Sequence, residues 1–454
     1  MKTTLIVLLA IPCLAQGILA QGTHATASSD TVRRLSVDSD TAFHPIDLQR
    51  AIQLAERNSP TAVQARGQIR TTTSSVKAAY AALFPGVTLS LGQVNQSGDR
   101  MDAQGRIVPY AGQQPWSYST GLNATMRVFD GGRNWSAIAQ SKSDVNAAEA
   151  NDVAQRFNVA LQVKTQYYAI LAARESEAAA LTQLDQAQAE LRAAAARVRA
   201  GAATLSDSLR SVIQVGNARL ALLTAQNNLR VASAALTRLV AAPYLVTAQA
   251  SDTLDRSLAT PLDSVQLLQF AERGPAVEQA NAQLISAQAA VRAARAPYLP
   301  TIDVTYSKSG NGYDPAYGLS KPFAYSNSFR VGASYPLWNN YQREDALTRA
   351  RVAQDNADAT LRDARLAAQQ NLVQQLASLR AAQERIEIQQ ASVASAEEDL
   401  RVQQQRYSLG ASTLLDLLTS QTTLDQQRAA LIQARQDYRI ARAQIEAIIG
   451  RDLQ

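Results

Sequence analysis

The stretch Arg406-Tyr407-Ser408-Leu409-Gly410, with Asp416 six residues beyond it, decides the fold because the chain contains a second version of it. The earlier version reads Arg197-Val198-Arg199-Ala200-Gly201 and is followed by Asp207. Both the glycine and the aspartate recur about 209 residues later. Recurrence at a fixed offset indicates two copies of one supersecondary unit.

The segments that precede these stretches recur as well. The first copy begins with Ala55-Glu56-Arg57-Asn58-Ser59-Pro60 and the second with Ala271-Glu272-Arg273-Gly274-Pro275. Each copy then runs through an alanine-rich helical segment to a proline, Pro85 or Pro300, where a strand begins. The sequence therefore predicts the order helix, β-hairpin, long helix and shorter helix, twice in tandem.

The hairpins are predicted from apolar residues that alternate with polar ones. On the clearest strand, Leu122, Ala124 and Met126 alternate with Asn123 and Thr125. The four predicted strands lie at about 86–97, 117–130, 301–308 and 325–338. Long polar loops join the strands of each hairpin, at about 99–115 and 308–324. Long loops at one end and short junctions at the other are typical of an outer-membrane barrel.

The aromatic residues favour the same interpretation. Trp116, Trp135 and Trp338 all lie in or beside the hairpins, where a membrane barrel places rings at its two lipid–water boundaries. The alternative is that these rings fill the core of a soluble β-sandwich, but four strands cannot enclose such a core. Four strands also leave two open edges, which lipid does not tolerate, so closure requires several copies. Three copies would give twelve strands, a number that the residues alone do not fix.

Long helices form the rest of the predicted body. Proline-free segments at about 135–200 and 343–409 predict two helices of about 100 Å each. Shorter helices are predicted at about 61–83, 204–241, 275–296 and 412–449. In each copy the two shorter helices together match the long one in length, so they can stack end to end beside it. The fold class is therefore mainly α with a membrane β-barrel.

The chain divides into five predicted segments. Residues 1–20 have the positive start and apolar core of a signal peptide, and 21–44 form a disordered leader rich in Thr, Ser and Asp. The first repeat is 45–241, an equatorial linker is 242–262, and the second repeat is 263–454. No later apolar run approaches the ~18 residues that a membrane-spanning helix needs.

Composition excludes several function classes. The net charge of +6 is spread along the helices without a basic block, which argues against nucleic-acid binding. The chain has two histidines, and its one cysteine, Cys13, lies in the predicted signal peptide. Phosphate-binding loops, metal-spaced ligand sets and activated nucleophiles are not found in the sequence. We therefore expect no enzyme activity, no cofactor and no metal site.

Taken together, these features resemble the TolC-like outer-membrane efflux proteins. The resemblance is carried by Tyr407 to Leu418, by Gly201 to Asp207 and by the duplicated order of segments, and it covers the chain from about Pro45. It implies a homotrimer that forms a twelve-stranded barrel in outer-membrane lipid and a long helical tunnel in the periplasm. It also implies a periplasmic adaptor and an inner-membrane pump of the RND or ABC type as partners.

The resemblance also implies a gate at the periplasmic tip of the tunnel. Asp207, Asp416 and Tyr407 match gate or constriction positions, whereas Thr419 and Ser412 replace an acidic residue and an arginine of the best-known member. The spacings Thr204-x-x-Asp207 and Thr413-x-x-Asp416 also predict capping boxes at helix starts. Capping alone would explain both aspartates, and the two roles are compatible.

The turns Gly201-Ala202 and Gly410-Ala411 match the family's adaptor-docking positions, although small residues also merely suit tight turns. The predicted function is a passive exit duct for efflux or type I secretion. The alternative is an exported coiled-coil scaffold or adhesin that conducts nothing and needs no detergent. The cargo, whether drug, metal or polypeptide, is left open.

Overall fold

A computed structural model describes residues 43–95, 99–101, 103–109, 116–201, 203–249 and 264–453. The predicted signal peptide, all but the last two residues of the predicted leader and most of the predicted linker lie outside these ranges. The helices are α1 Leu48–Asn58, α2 Pro60–Ala81, α3 Arg133–Arg199, α4 Leu205–Val240, α5 Ser264–Ala271, α6 Pro275–Arg295, α7 Gln342–Ser408 and α8 Leu414–Ile449. The strands are β1 His44–Ile46, β2 Gly86–Val94, β3 Asp99–Met101, β4 Ile107–Pro109, β5 Ser117–Phe129, β6 Val246–Ala248, β7 Thr301–Gly312 and β8 Phe323–Ser334.

The helix starts follow from local sequence. Ser59 caps α2 by accepting a hydrogen bond from Ala62 N, and Pro60 follows as the first helical residue, where its missing N–H costs nothing. In α6, Pro275 plays the same part after Gly274. The long helices α3 and α7 have 67 residues each, or about 100 Å, and the helices that follow them have 36 each.

The helices form two antiparallel hairpins, each with a shorter helix beside it. The first helical hairpin is α3 with α4, and α2 packs along the rest of α3. The second helical hairpin is α7 with α8, and α6 packs along the rest of α7. Contacts of α3 with α6 and α8 join the two halves. The shorter helices thus lie beside the long ones in the way that their lengths predict.

Two apolar clusters lie at the middle of the body, one in each helical hairpin. In the first, Val163, Tyr167 and Ile170 of α3 pack against Leu236 and Val240 of α4. In the second, Leu372 and Leu379 of α7 pack against Tyr438 and Ile445 of α8. Alanine supplies many of the other buried positions, which lets neighbouring helices approach closely.

The four long strands form one antiparallel sheet in the order β2-β5-β7-β8. Their register places all the alternating apolar residues on one face, because Leu89 pairs with Leu122, and Val304 pairs with both Met126 and Val331. The opposite face is polar. A side-chain bridge joins Arg127 to Asp303 there at 2.8 Å, and serine hydroxyls pair across β7 and β8.

Strand ends differ from prediction at several places. β2 ends at Val94 rather than near 97, and β7 runs to Gly312 rather than 308. The last strand, predicted at about 325–338, is β8 from Phe323 to Ser334, so it begins near the predicted residue and ends four residues earlier. Pro336 has no N–H to donate to a ladder, so Tyr335 and Leu337 lie outside the sheet and are exposed.

A small parallel pair was not predicted. β1 pairs with β6, although 200 residues separate them, and both strands lie against the first apolar cluster. His44, assigned by sequence to the disordered leader, is thus the first residue of a strand. The loop predicted at 99–115 contains a short hairpin of β3 and β4. Among the described helices, none combines the length and the apolar character that crossing a membrane requires.

Candidate functional site

The turns at the ends of the two helical hairpins are built alike. Gly201 has φ +75° and Gly410 has φ +74°, the left-handed conformation that glycine adopts without strain when a helix ends. After Gly410, the N–H of Ala411 donates back to the carbonyl of Arg406 at 2.8 Å. The predicted change from long helix to shorter helix at these glycines is confirmed. We call the residues 200–204 and 409–413 the two tips.

Both predicted capping boxes are formed. Asp416 Oδ2 accepts from Thr413 N at 2.9 Å and from Thr413 Oγ1 at 2.8 Å, while Asp416 N donates to Thr413 Oγ1 at 3.2 Å. Asp207 makes the same three bonds with Thr204, at 3.2, 2.8 and 3.3 Å. The aspartates therefore stabilise the first turns of α4 and α8 within one chain.

Hydrogen bonds from Thr413 and the nearby charge of Arg406 hold the pKa of Asp416 below its usual range. Asp416 is exposed and hence ionised at neutral pH. Thr419, one turn further along α8, is exposed, and its hydroxyl donates to the carbonyl of Leu415 at 2.9 Å. Among the predicted gate residues on α8, only Asp416 carries a charge.

Tyr407 takes part in a contact between the two helical hairpins that the sequence did not predict. The guanidinium of Arg197, on α3, lies 4.4 Å from the centre of the Tyr407 ring. Arg197 Nη1 also donates to the carbonyl of Tyr407 at 3.0 Å, and Nη2 reaches the carbonyl of Ser408 at 3.5 Å. Arg197 thus binds the negative end of α7 and one face of its last aromatic ring. Among the described residues, the guanidinium of Arg406, its counterpart in the repeated stretch, hydrogen-bonds only to the nearby carbonyl of Ala411, at 3.4 Å.

Arg197 is the last of three polar residues at heptad spacing along α3. Gln183, Glu190 and Arg197 follow one another at intervals of seven, which keeps them on one side of the helix. Each contacts the second helical hairpin: Gln183 Nε2 donates to Asp425 Oδ2 at 2.5 Å, and Glu190 Oε1 accepts from Gln421 Nε2. We call this row of contacts the seam. A polar stripe at heptad spacing was the sequence signal that could have revealed it.

The carboxylates of the seam are not in ordinary surroundings. Burial, and then the charge of Asp425, raises the pKa of Glu190 from 4.5 to about 7. Burial also raises the pKa of Asp425, against the opposing effects of Arg428 and Gln183. Arg428 is itself held by Glu397 of α7 at 2.7 Å. Above the seam, α3, α4 and α8 line a groove of about 690 Å³, which is walled mainly by alanine.

The predicted docking turns are exposed where the structure describes them. Gly201, Gly410 and Ala411 are exposed, whereas Ala202 lies outside the described residues. A Cβ atom added at Gly201 or Gly410 would meet no other atom within 4 Å. Glycine is therefore favoured at these two positions by the left-handed backbone and not by close packing against the described residues.

The sequence is similar to a known family of outer-membrane proteins and to individual proteins. The sequence profile of the family described as "Outer membrane efflux protein" matches residues 51–242 and 267–451. Protein CyaE of Bordetella pertussis is 30% identical over 392 residues, which are 83% of this chain and 78% of CyaE. The pyoverdine export outer membrane protein OpmQ of Pseudomonas aeruginosa is 27% identical over 399 residues, covering 87% of this chain and 83% of OpmQ.

Solved structures agree on the fold. The crystal structure of CusC, a protein that forms a transmembrane channel, superposes with a TM-score of 0.76 at 19% identity. The match covers 92% of this chain and 96% of CusC. The family is one of transport proteins and not of enzymes. With two helical hairpins of matching lengths, a two-faced sheet and a profile match along most of its length, the chain belongs to the outer membrane efflux protein family.

Proposed function

We propose that this protein is the passive exit duct of a tripartite efflux pump or type I secretion system. Three copies form a twelve-stranded barrel in the outer membrane, and their helices form a tunnel in the periplasm. The tips meet a periplasmic adaptor, and an inner-membrane pump of the RND or ABC type supplies the energy. The tunnel is gated at the tips.

The four-stranded sheet is the observation that carries this proposal. Its apolar side chains are exposed in the single chain: Leu89 to 67%, Phe329 to 70% and Val331 to 61%. Within the described residues, the outer edges of β2 and β8 pair with no other strand. A sheet with an exposed apolar face and two open edges requires both lipid and further strands. Copies of the same sheet, joined β2 to β8, would close the open edges, and outer-membrane lipid would cover the apolar face.

The helices support the same assembly. On α4, Leu209, Ile213 and Leu220 are each more than half exposed, as are Val373 and Ile388 on α7. Apolar residues three, four and seven apart on an exposed helix face favour packing against another helix. Neighbouring copies would cover these faces and close a ring of helices about 100 Å long.

A gate at the tips follows from the charges there. In a trimer, Asp207 and Asp416 would contribute up to six carboxylates around one opening, a ring that attracts cations and repels anions. Because Thr419 and Ser412 are uncharged, this gate has fewer charge-assisted links than the resemblance would otherwise imply. Arg197 supplies one link within each chain, between α3 and the end of α7.

Cargo is proposed only as a class. OpmQ is a pyoverdine export protein, and a small organic molecule is one kind of cargo compatible with this duct; a drug, a metal ion or a polypeptide are others. The polar face of the sheet, rich in Ser, Thr, Asn and Gly, offers no selective site. Selection of cargo therefore belongs to the pump.

Electron microscopy of the chain extracted from outer membranes in detergent tests the proposal. We expect threefold particles roughly 140 Å long with a hollow centre, from helices of about 100 Å and strands of about 40 Å. Monomers, or slender rods that stay soluble without detergent, would instead support the exported scaffold or adhesin.

A further inference from the structure

The seam between the two helical hairpins contains two half-buried carboxylates, near enough to each other for the charge of Asp425 to raise the pKa of Glu190. Glu190 lies on α3 and Asp425 on α8, and the two helices belong to different hairpins. Each acid is bound by a glutamine of the opposite helix, Gln421 or Gln183. Helix capping accounts for Asp207 and Asp416, but it does not account for two half-buried acids on neighbouring helices of different hairpins.

We propose that the pair Glu190 and Asp425 makes the contact between the two helical hairpins respond to pH, so that the seam is tight in mildly acidic surroundings and loosens toward alkaline pH. The carboxamides of Gln183 and Gln421 hold the acids in place in either charge state, since a carboxyl oxygen accepts a hydrogen bond whether or not the group is ionised. What changes with pH is the cost of keeping an ionised Glu190 half-buried in the seam, to which the charge of Asp425 adds.

The sign follows from the direction of the shift. The pKa of Glu190 is about 7 with the seam formed, and with the hairpins apart it returns toward its ordinary 4.5. A carboxyl whose pKa is raised in one state stabilises that state at low pH, and the contribution is lost as pH rises toward the raised value. The seam should therefore weaken between about pH 5 and pH 8 and change little above. Between pH 6 and pH 8 the equilibrium between joined and separated hairpins shifts by up to roughly tenfold.

Other charges near the pair do not cancel this effect. On α8, Arg428 lies close enough to lower the pKa of Asp425, but its guanidinium is also bound by Glu397 of α7. On α4, which packs along α3, Arg210 and Arg219 are exposed. Arg428 therefore favours ionisation of Asp425 in particular, which leaves Glu190 as the acid that takes up the proton.

Distances between spin labels on the two hairpins test the proposal without requiring that the protein conduct. The exposed residues Gln188 on α3 and Thr422 on α8 are replaced by cysteine and labelled in the full chain. Labelled chains are diluted with unlabelled ones, so that the measured distance belongs to one chain whatever the oligomer. We expect the fraction of long distances to rise from pH 6 to pH 8.

Three variants decide the cause. Glu190→Gln keeps an amide in place of the carboxyl and should abolish the response to pH, whereas Asp185→Asn removes an exposed carboxylate of the same helix and should leave it unchanged. Asp425→Asn removes the repulsion and should move the transition to lower pH, which keeps the test decisive if Glu190→Gln does not fold. Equal distance distributions at pH 6 and pH 8 in the unmodified chain would overturn the proposal. So would an Asp425→Asn variant that responds like the unmodified chain.

Discussion

Replacing Arg197 by alanine should separate the two tips. Arg197 makes a hydrogen bond from a charged donor to the Tyr407 carbonyl at 3.0 Å and places its guanidinium over the Tyr407 ring. Such a hydrogen bond contributes about 1.5–3 kcal/mol, and a cation–π contact at an exposed site about 0.5–1 kcal/mol. Both residues are only half buried, so the lower values apply. The expected loss is about 2 kcal/mol per chain, or roughly thirtyfold in the equilibrium between joined and separated tips.

Spin labels at the exposed residues Leu205 and Leu415, one in each tip region, report this equilibrium directly. Arg199→Ala is the matched control, because Arg199 is exposed and its guanidinium reaches only the Ala195 carbonyl of its own helix. Tyr407→Leu removes the ring but keeps the carbonyl, so it should cost about 0.5–1 kcal/mol, and its effect should be smaller in the Arg197→Ala background. Indistinguishable distances in Arg197→Ala and Arg199→Ala would refute the reasoning.

If the chain conducts as proposed, the same variant should open the tips to ions. In planar bilayers, Arg197→Ala should spend more time in high-conductance states than the unmodified protein, and Arg199→Ala should not. A change in label distance without a change in conductance would mean that the contact joins the hairpins but does not limit the pore. The two measurements thus separate the contact from the gate.

The remaining predictions concern three other positions. Asp416→Ala should lower the preference of the pore for cations. Asp416→Asn should do the same, although its side-chain oxygen can still accept the capping hydrogen bonds. Unchanged reversal potentials in both variants would remove Asp416 from the constriction. A bulky residue at Gly410 should abolish complementation of an efflux-deficient strain. Its left-handed backbone would strain the turn locally, but the oligomer should stay intact because the side chain meets no other atom within 4 Å. Lost oligomers would make the position structural. Lys164→Met should lower the free energy of unfolding by about 3 kcal/mol, measured by chemical denaturation. The substitution removes the 2.6 Å salt bridge to the buried Glu446 and leaves that carboxylate with only the longer, 3.5 Å salt bridge to Arg442.

The Lys164 prediction also has a pH dependence. Burial alone would lower the pKa of Lys164, but hydrogen bonds and charges from Glu446 and Asp452 outweigh it and raise the pKa above 10.5. A cation with a raised pKa stabilises the fold at lower pH, and the contribution is lost only as pH rises past that value. Unmodified protein and Lys164→Met should therefore differ in stability by the same amount from pH 6 to pH 9 and converge above about pH 10.5.

The helical body could be predicted because its signals are local. The first long helix, predicted at about 135–200, spans Arg133–Arg199, and the last helix, predicted to begin near 412, begins at Leu414. Glycine in a left-handed conformation and threonine three residues before aspartate mark these boundaries within a single turn of chain. The apolar and polar faces of the sheet could be predicted for the same reason, since alternation in one strand fixes the face of each residue.

The partners in the contacts between the two hairpins could not be predicted, because the heptad row on α3 marks only one side of contacts that join residues more than 200 positions apart. The pairing of β1 with β6 involves only three residues on each side, too few for periodicity to detect. Arg197 and Arg406 occupy equivalent positions in the two similar stretches, but Arg197 binds Tyr407 of the other hairpin whereas Arg406 binds Ala411 nearby. The partner of Arg197 could therefore not be inferred from Arg406. Glu190 and Asp425 each resemble the many charged residues of a solvated helix until α3 and α8 are packed together.

The distribution of polar residues along the helices suggests which parts of the chain move. At the middle of the body, Ile432 of α8 packs against the apolar cluster around Tyr167 of α3, so separating the two helical hairpins there would expose apolar side chains to water. Between the middle and the tips, the contacts between the two hairpins include three polar pairs in a row, from Gln183 through Glu190 to Arg197. When the hairpins part, water replaces the hydrogen bonds of such contacts, so each contact costs only about 0.5–3 kcal/mol to break. Motion of one helical hairpin against the other is therefore least costly at the tip end, which is where the proposed gate lies.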